Sequence, residues 1–317
     1  VQRHTGEVSG YRDEHYQSAG VELVEDPETL YGHSELVVKV KEPQGEETQW
    51  LKHGQLLFCY LHLAAERQLI PLLLDSGATA IGFELVEVDH TLPLLTPMSV
   101  VAGRLAAQTS TQLLHTSYGG KGLLAGGIEG TDSGHAVVIG GGQAGRAALC
   151  DLLCSGSRVT LLDINQNTLD RVKAEFPDVC TADSSDSAVV AEVVANADIL
   201  IGAALIPGRR APVVVSRKMV RSMTPGSVIV DIAIDQGGCI ETSRPTTHDN
   251  PTYIEEGQVH YCVTNMPGVV PRTSTQALSH AILPYVRQLA SGRGLEDTAL
   301  QRAIYLQEGE IQYAGLK

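Results

Sequence analysis

The sequence predicts an α/β protein of two domains, each built on a doubly wound, mostly parallel sheet, with the second domain inserted into the first. Three observations carry that expectation. With 317 residues, 43% of them hydrophobic and 19% charged, the chain has ordinary globular usage but is too long for one comfortable core. Short apolar runs alternate with helical patterns along two separate stretches, the mark of βαβ units and so of parallel strands. Two long helical patterns, beginning near Pro97 and Pro271, stand where the chain would cross between domains and return.

Taken in order, the first stretch runs from Val37 to Glu84. It contains the strand candidates LVVKVK, QLLFCYL and TAIGF, with an Ala- and Leu-rich helical segment at 63–75. Proline is favoured in a first helical turn, so Pro97 opens a helix that SVVAGRLAAQTSTQLL continues to about Leu114. Glycines 119, 120, 122, 126 and 127 then predict a loop. The second stretch holds HAVVIG, RVTLLDI, VCTAD, ADILIGAA, SVIVDIAI and VHYCVTN, with helices between most of them. That pattern predicts a sheet covered by helices on both faces. After Pro271 a further helical pattern leads to the C-terminus, with a kink or break expected at Pro284. The partition is therefore 1–94 with 270–317, around an inserted 95–269, and a cleft between the two would take a small substrate.

Composition excludes several functions. Thirty-seven acidic against twenty-three basic residues give a net charge of -14, a field that opposes nucleic acid and anionic lipid. No apolar stretch approaches the ~20 residues of a membrane span and no leader pattern precedes the first domain, so the expected location is the cytoplasm. The chain opens on Val1 rather than methionine, from which we expect that something upstream has been removed. The six cysteines never form C-x-x-C and mostly lie in apolar runs. They read as reduced core residues, Cys150 and Cys154 as helix packing, and no metal site is expected.

One segment points to a cofactor. HAVVIGGGQAGRAALCDLLCSGSRVTLLDIN places Gly140, Gly142 and Gly145 in G-x-G-x-x-G, after a strand and at the opening of an Ala-rich helix. Gly140 would permit the tight turn, Gly142 would let the backbone reach a pyrophosphate, and Gly145 would let helix and strand pack closely. The helix N-terminus would face the anion. Asp163, at the end of the next strand, would accept hydrogen bonds from the ribose hydroxyls and repel a 2′-phosphate, which favours NAD over NADP. The plain alternative for Asp163 is a strand-ending turn residue. The inserted domain is thus expected to be a Rossmann NAD-binding domain.

Four polar residues follow apolar strands at the ends where open α/β sheets bind ligands: Lys41, His62, Asp235 and Asn265, with Glu84 a weaker fifth. Each has a structural alternative. Lys41 could be a surface lysine and His62 a helix-start residue, while Asp235 before Gly237 and Gly238, and Asn265 before MPG, could be turn residues. Together they suit a nicotinamide enzyme acting on a small charged substrate. Such an enzyme needs a cation for a carboxylate, a group to orient the reacting centre, and a proton carrier titrating near neutrality, for which histidine's ordinary pKa of ~6.5 is apt.

These segments resemble the alanine dehydrogenase family in order and spacing. KVKEP, YLHLAA, LPLLTPMSVVAGR, VVIGGGQAG, LIGAALIPGRRAP, VIVDIAIDQGGCIETSRPTTHDNPTY and HYCVTNMPGVVPRTST carry the resemblance. IDQGG and NMPG followed by VP and TST separate it from the related transhydrogenase NAD-binding subunits. The resemblance implies reversible, NAD-dependent oxidative deamination of L-alanine to pyruvate and ammonium. His62 would be the proton donor and acceptor, and Lys41 would contact the carboxylate and carbonyl. Asp235 and Asn265 would lie beside nicotinamide and substrate, and Ser99 near the cofactor phosphates. It also implies a hexamer.

The family carries an N-terminal strand and an arginine loop that grips the substrate carboxylate, which no segment of this sequence matches. Val100 stands where the family usually has glutamate. The expectation is one clamp cation, Lys41, with two alternatives to the alanine reaction: a non-catalytic NAD-binding paralogue or subunit, or a related dehydrogenase of another amino acid.

Overall fold

A computed structural model describes residues 1–206 and 208–316. The chain forms two compact units, Val1–Met98 joined by the segment from Val270 onward and a short stretch around Gly208, and Ser99–Ile206 with Arg210–Val269. Both sheets are mixed: the seven-stranded one is parallel except at one edge, as the alternating pattern predicts, and the five-stranded one has two parallel and two antiparallel pairings.

The first unit opens with β1 (Leu36–Val38), β2 (Leu56–Cys59) and β3 (Thr79–Gly82), paired in parallel in that order. Residues 56–59 and 79–82 are almost wholly buried, which suits continuous apolar runs rather than alternation. The helix between β2 and β3 covers only Leu69–Ser76, not the 63–75 the composition suggested. His62 has φ 46, and its carbonyl accepts the N–H of Ala65 and Glu66 at 2.8 and 3.0 Å, so a turn precedes the helix. Gly77, at φ 66, ends it.

The second unit contains β4 (His135–Ile139), β5 (Arg158–Asp163), β6 (Cys180–Asp183), β7 (Ile199–Gly202), β8 (Val228–Asp231), β9 (Thr252–Glu255) and β10 (Gln258–Tyr261). Their order is β6-β5-β4-β7-β8-β10-β9, all parallel except β9. The sheet is buried on both faces, and the period of two shows in its cores. Ala136, Val138, Ile199 and Ile201 pack with the helices at Thr96–Leu113 and Gln143–Cys154. Their neighbours Val137, Ile139 and Leu200 pack with those at Ser187–Ala195 and Arg217–Ser222. β9 was not foreseen: it is an edge strand with half its residues exposed, so TYIE lacks the apolar run that betrays a central strand.

The chain then returns to the first unit through one helix, Pro271–Ala290, and adds β11 (Ile304–Gln307) and β12 (Glu310–Ile311). Pro284 lies inside that helix without breaking it. It sits on the exposed side, where water can satisfy the carbonyl that loses its partner, while Leu278 and Leu289 anchor the buried side. β11 pairs antiparallel with β3, completing the order β1-β2-β3-β11-β12. Its short run IYLQ does not stand apart in sequence from the helical pattern before it.

Cys59, Cys239 and Cys262 are buried, Cys150 is half-buried, and Cys154 and Cys180 are exposed, so the core expectation holds for only part of the set. Among the described residues no helix is long and apolar enough to cross a membrane.

One buried titratable group in β10 has a measurable consequence. His260 is 0% exposed; its Nδ1 donates to the Gln258 carbonyl and its Nε2 accepts from Thr242 Oγ1 at 2.8 Å. Burial pushes this imidazole below its ordinary 6.5. Below pH 6.5 the unfolded chain takes up a proton that the folded chain refuses. The stabilisation is therefore complete above that pH and declines as pH falls toward the lowered folded-state value. Urea midpoints at several pH values should show the wild-type advantage over His260→Gln shrinking between pH 7 and pH 5. A constant difference would contradict it.

Candidate active site

The glycine turn follows β4 and opens the helix Gln143–Cys154. Gly140 has φ 97, and a Cβ there would meet Ala203 O at 2.7 Å; a Cβ on Gly145 would lie 1.8 Å from Gly140 O. Both positions require glycine, one for the turn and one for close packing. Gly142 is different: its φ of -69 suits any residue and a Cβ would meet nothing within 4 Å. Space is left where a ligand's phosphates would approach.

The same helix has Gly142 as N-cap and no side-chain cap. The helices at Gln166–Glu175, Ser187–Ala195 and Arg217–Ser222 are capped by Asn165, Asp186 and Ser216. An uncapped start leaves first-turn N–H groups free for an anion. These features fit a dinucleotide.

Asp163 ends β5 beside the turn. Its Oδ2 accepts the Gly141 N–H at 2.7 Å and its Oδ1 the Asn165 N–H at 2.8 Å. Each oxygen keeps a second lone pair for a hydroxyl donor. Ser99 is half-buried in the first turn of the helix Thr96–Leu113. One turn on, that helix meets the nucleotide helix so closely that a Cβ on Gly103 would lie 2.1 Å from Ala144 O.

Asp235 and Asn265, thirty residues apart, are brought together. Asp235 lies in the 3₁₀ turn Ile232–Gln236 after β8, and both its carboxylate oxygens accept the Asn265 N–H at 3.1 Å. Asn265 has φ 52, a left-handed conformation its short amide tolerates. Its carbonyl accepts the Gly268 N–H at 2.8 Å and lies 3.2 Å from His248 Nε2.

A residue that the sequence reading passed over holds this turn. Asp231 is fully buried; it accepts from Ala233 N, Cys239 N and Ile240 N at 3.0, 2.9 and 3.1 Å. Burial pushes its carboxyl up, while Ser243 and the backbone donors pull it down. Gly237 and Gly238, at φ 98 and 77, let the chain fold back over it.

In the first unit Lys41 and His62 follow adjacent strands, β1 and β2, whose pairing extends to Tyr60 N and Val40 O at 3.0 Å. Lys41 Nζ is 3.7 Å from Glu42 Oε2, and its side chain is 38% exposed. The His62 ring lies parallel to Tyr60, with centroids 5.7 Å apart, and the Tyr60 hydroxyl donates to Leu94 O at 2.7 Å. Glu84, in the 3₁₀ turn after β3, is buried. Its Oε1 accepts the His62 N–H at 2.7 Å and the Leu61 N–H at 3.1 Å, and lies 4.0 Å from His62 Nδ1. A histidine with positive φ costs on the order of 1–3 kcal/mol. Hydrogen bonds to a carboxylate contribute ~1.5–3 kcal/mol each and offset it. His62 is thus held on its turn by Glu84, the weakest of the five candidates in sequence.

With this geometry in place, comparison with known proteins decides the family. A family model described as alanine dehydrogenase/PNT, N-terminal domain, matches residues 1–102, and one described as alanine dehydrogenase/PNT, C-terminal domain, matches 106–314. The chain belongs to the alanine dehydrogenase/PNT family. The alanine dehydrogenase of Bacillus subtilis strain 168 is 46% identical over 99% of this chain and 84% of its own length. That of Methanococcus maripaludis is 45% identical over 99% of this chain and 86% of its own. A solved L-alanine dehydrogenase superposes with a TM-score of 0.90 at 44% identity, covering 100% of this chain and 88% of that one. A transhydrogenase from Sinorhizobium meliloti, at TM-score 0.80 and 22% identity over 99% of this chain and 89% of that one, shares the fold.

Proposed function

We propose that this chain catalyses the NAD-dependent, reversible oxidative deamination of L-alanine: alanine, water and NAD⁺ give pyruvate, ammonium, NADH and a proton. The observation that carries the reading is near full-length similarity to alanine dehydrogenases, and the site geometry supports the roles we assign below.

NAD, when bound, supplies the hydride acceptor. We assign its pyrophosphate to the turn at Gly140, Gly142 and Gly145, its ribose hydroxyls to Asp163, and its phosphates also to Ser99; the unit containing Ser99–Ile206 is then the NAD-binding domain. We assign substrate to the other unit. There Lys41 offers an ammonium to the carboxylate and carbonyl, and charge-assisted bonds of this kind are roughly twice as strong as neutral ones.

Loss of hydride from the alanine Cα leaves an imine, which water must attack. His62, neutral at that moment, takes the proton of the attacking water at a ring nitrogen; in the reverse direction it starts protonated and returns it. Asp235 and Asn265 border nicotinamide and substrate. Asp235 holds the Asn265 main chain, so its answer to the turn-residue alternative is a carboxylate that bridges two loops.

Asp235→Asn puts an amide NH₂ where one oxygen now accepts the Asn265 N–H. Turnover should fall roughly 10-fold, as expected when a part-buried, charge-assisted hydrogen bond is weakened to a neutral one, with NADH affinity kept. Unchanged kcat would return Asp235 to a turn residue. We further propose a cytoplasmic homohexamer, which sedimentation velocity would test.

The deciding experiment is NADH oxidation with pyruvate and ammonium. Binding of NADH without turnover would replace the enzyme by a non-catalytic subunit. Preference for a larger keto acid would change the substrate, and equal use of NADPH would overturn the role of Asp163.

A further inference from the structure

Glu84 has a third donor, and it comes from the far end of the chain. The Tyr305 hydroxyl lies 3.1 Å from Glu84 Oε1, the same oxygen that accepts from His62 N and Leu61 N. Tyr305 stands in β11, where Ile304 pairs with Ile81 and Leu306 with Ala80. Two steps along β11 therefore oppose one step along β3, and Tyr305 is the extra residue of a bulge. Bulges re-aim a side chain and recur beside functional sites. Here the ring is laid on Gly82: a Cβ at that position would lie 2.5 Å from Tyr305 Cε2. Only glycine at the end of β3 lets the phenol pass and reach the carboxylate. Tyr305 is 0% exposed and Glu84 1%, so water does not substitute for either partner.

We infer that Tyr305, acting through Glu84, is a positioning residue for His62. The inference rests on the reading of His62 as proton carrier. Two main-chain donors and the phenol converge on Oε1, and the phenol adds the constraint that fixes the carboxylate's rotation. With the rotation fixed, Oε1 stays beneath the His62 N–H, the left-handed turn persists, and the imidazole keeps its orientation beside Tyr60. Without the phenol hydroxyl the carboxylate can turn away and the strained His62 turn can relax. A misplacement of about 1 Å at a reacting group can cost on the order of 100-fold in rate. Tyr305 is fully buried and its hydroxyl reaches Glu84, while the His62 ring lies against Tyr60, so the effect must pass through the imidazole's placement.

The test is a double-mutant cycle with Tyr305→Phe and His62→Asn, reading kcat/KM for pyruvate at saturating NADH and ammonium, with NADH affinity and melting temperature alongside. Tyr305→Phe should lower kcat/KM about 10-fold or more and leave NADH affinity unchanged. In the His62→Asn background the same change should have less than about a twofold effect, because a group that acts only through another adds nothing once that other is gone. Glu84→Gln should follow the same non-additive pattern. An unchanged kcat/KM for Tyr305→Phe, or the same fractional loss in both backgrounds, overturns the inference. If His62→Asn alone retains full activity, the proton-carrier reading itself fails. Impaired His62→Asn with unimpaired Tyr305→Phe sinks only the positioning role.

Discussion

His62→Asn is expected to lower kcat by roughly 100- to 10,000-fold, the contribution of a positioned acid–base group. Asparagine is the informative replacement. It accepts the positive φ of 46 at this position more readily than most residues, and its N–H can still donate to Glu84 Oε1 as the histidine N–H does at 2.7 Å. The turn therefore survives while the titratable ring is removed. NADH affinity should stay within about twofold, since the glycine turn and Asp163, to which the pyrophosphate and ribose are assigned, are untouched by the substitution. Added imidazole should restore part of the rate. A variant within twofold of wild-type kcat would remove His62 from the chemistry altogether.

The second large effect separates two glycines of one motif. Gly145→Ala places a carbon 1.8 Å from the carbonyl oxygen of Gly140, and because that atom is backbone, the helix must move off the strand. We expect a stability loss of about 1–3 kcal/mol from overpacking together with loss of NADH binding, since the first-turn N–H groups move with the helix. Gly142→Ala puts the same methyl group into open space at a permissive φ of -69. It should melt as wild type yet bind NADH at least about 10-fold more weakly. Melting curves with and without NADH read both quantities. Wild-type NADH affinity in Gly142→Ala would mean that the pyrophosphate does not lie over this residue.

Much of the fold was legible because the central strands are buried on both faces, and such strands advertise themselves as β-branched runs. The strands that were missed lie toward edges or at the end of the chain: TYIE at β9 is half exposed, and IYLQ at β11 follows a long helix whose pattern absorbed it. At the site, residues ending a strand could be named one by one, but their partners could not. Glu84 and His62 are 22 residues apart, Asp235 and Asn265 30, and Glu84 and Tyr305 221. No local pattern encodes a hydrogen bond between a bulge on one strand and a carboxylate after another. Asp231 was visible as the first aspartate of DIAID, yet nothing in that string distinguishes an anchor from a ligand-facing acid until burial is known.

The position of β11 within its sheet has a consequence for biogenesis. The unit that carries His62 needs a strand that is made only after the inserted unit, so its layer stays open-edged until then. The inserted unit, complete by Val269, can mature first. Exposed β3 is then the surface a nascent chain must shield longest, and chaperone dependence should concentrate there.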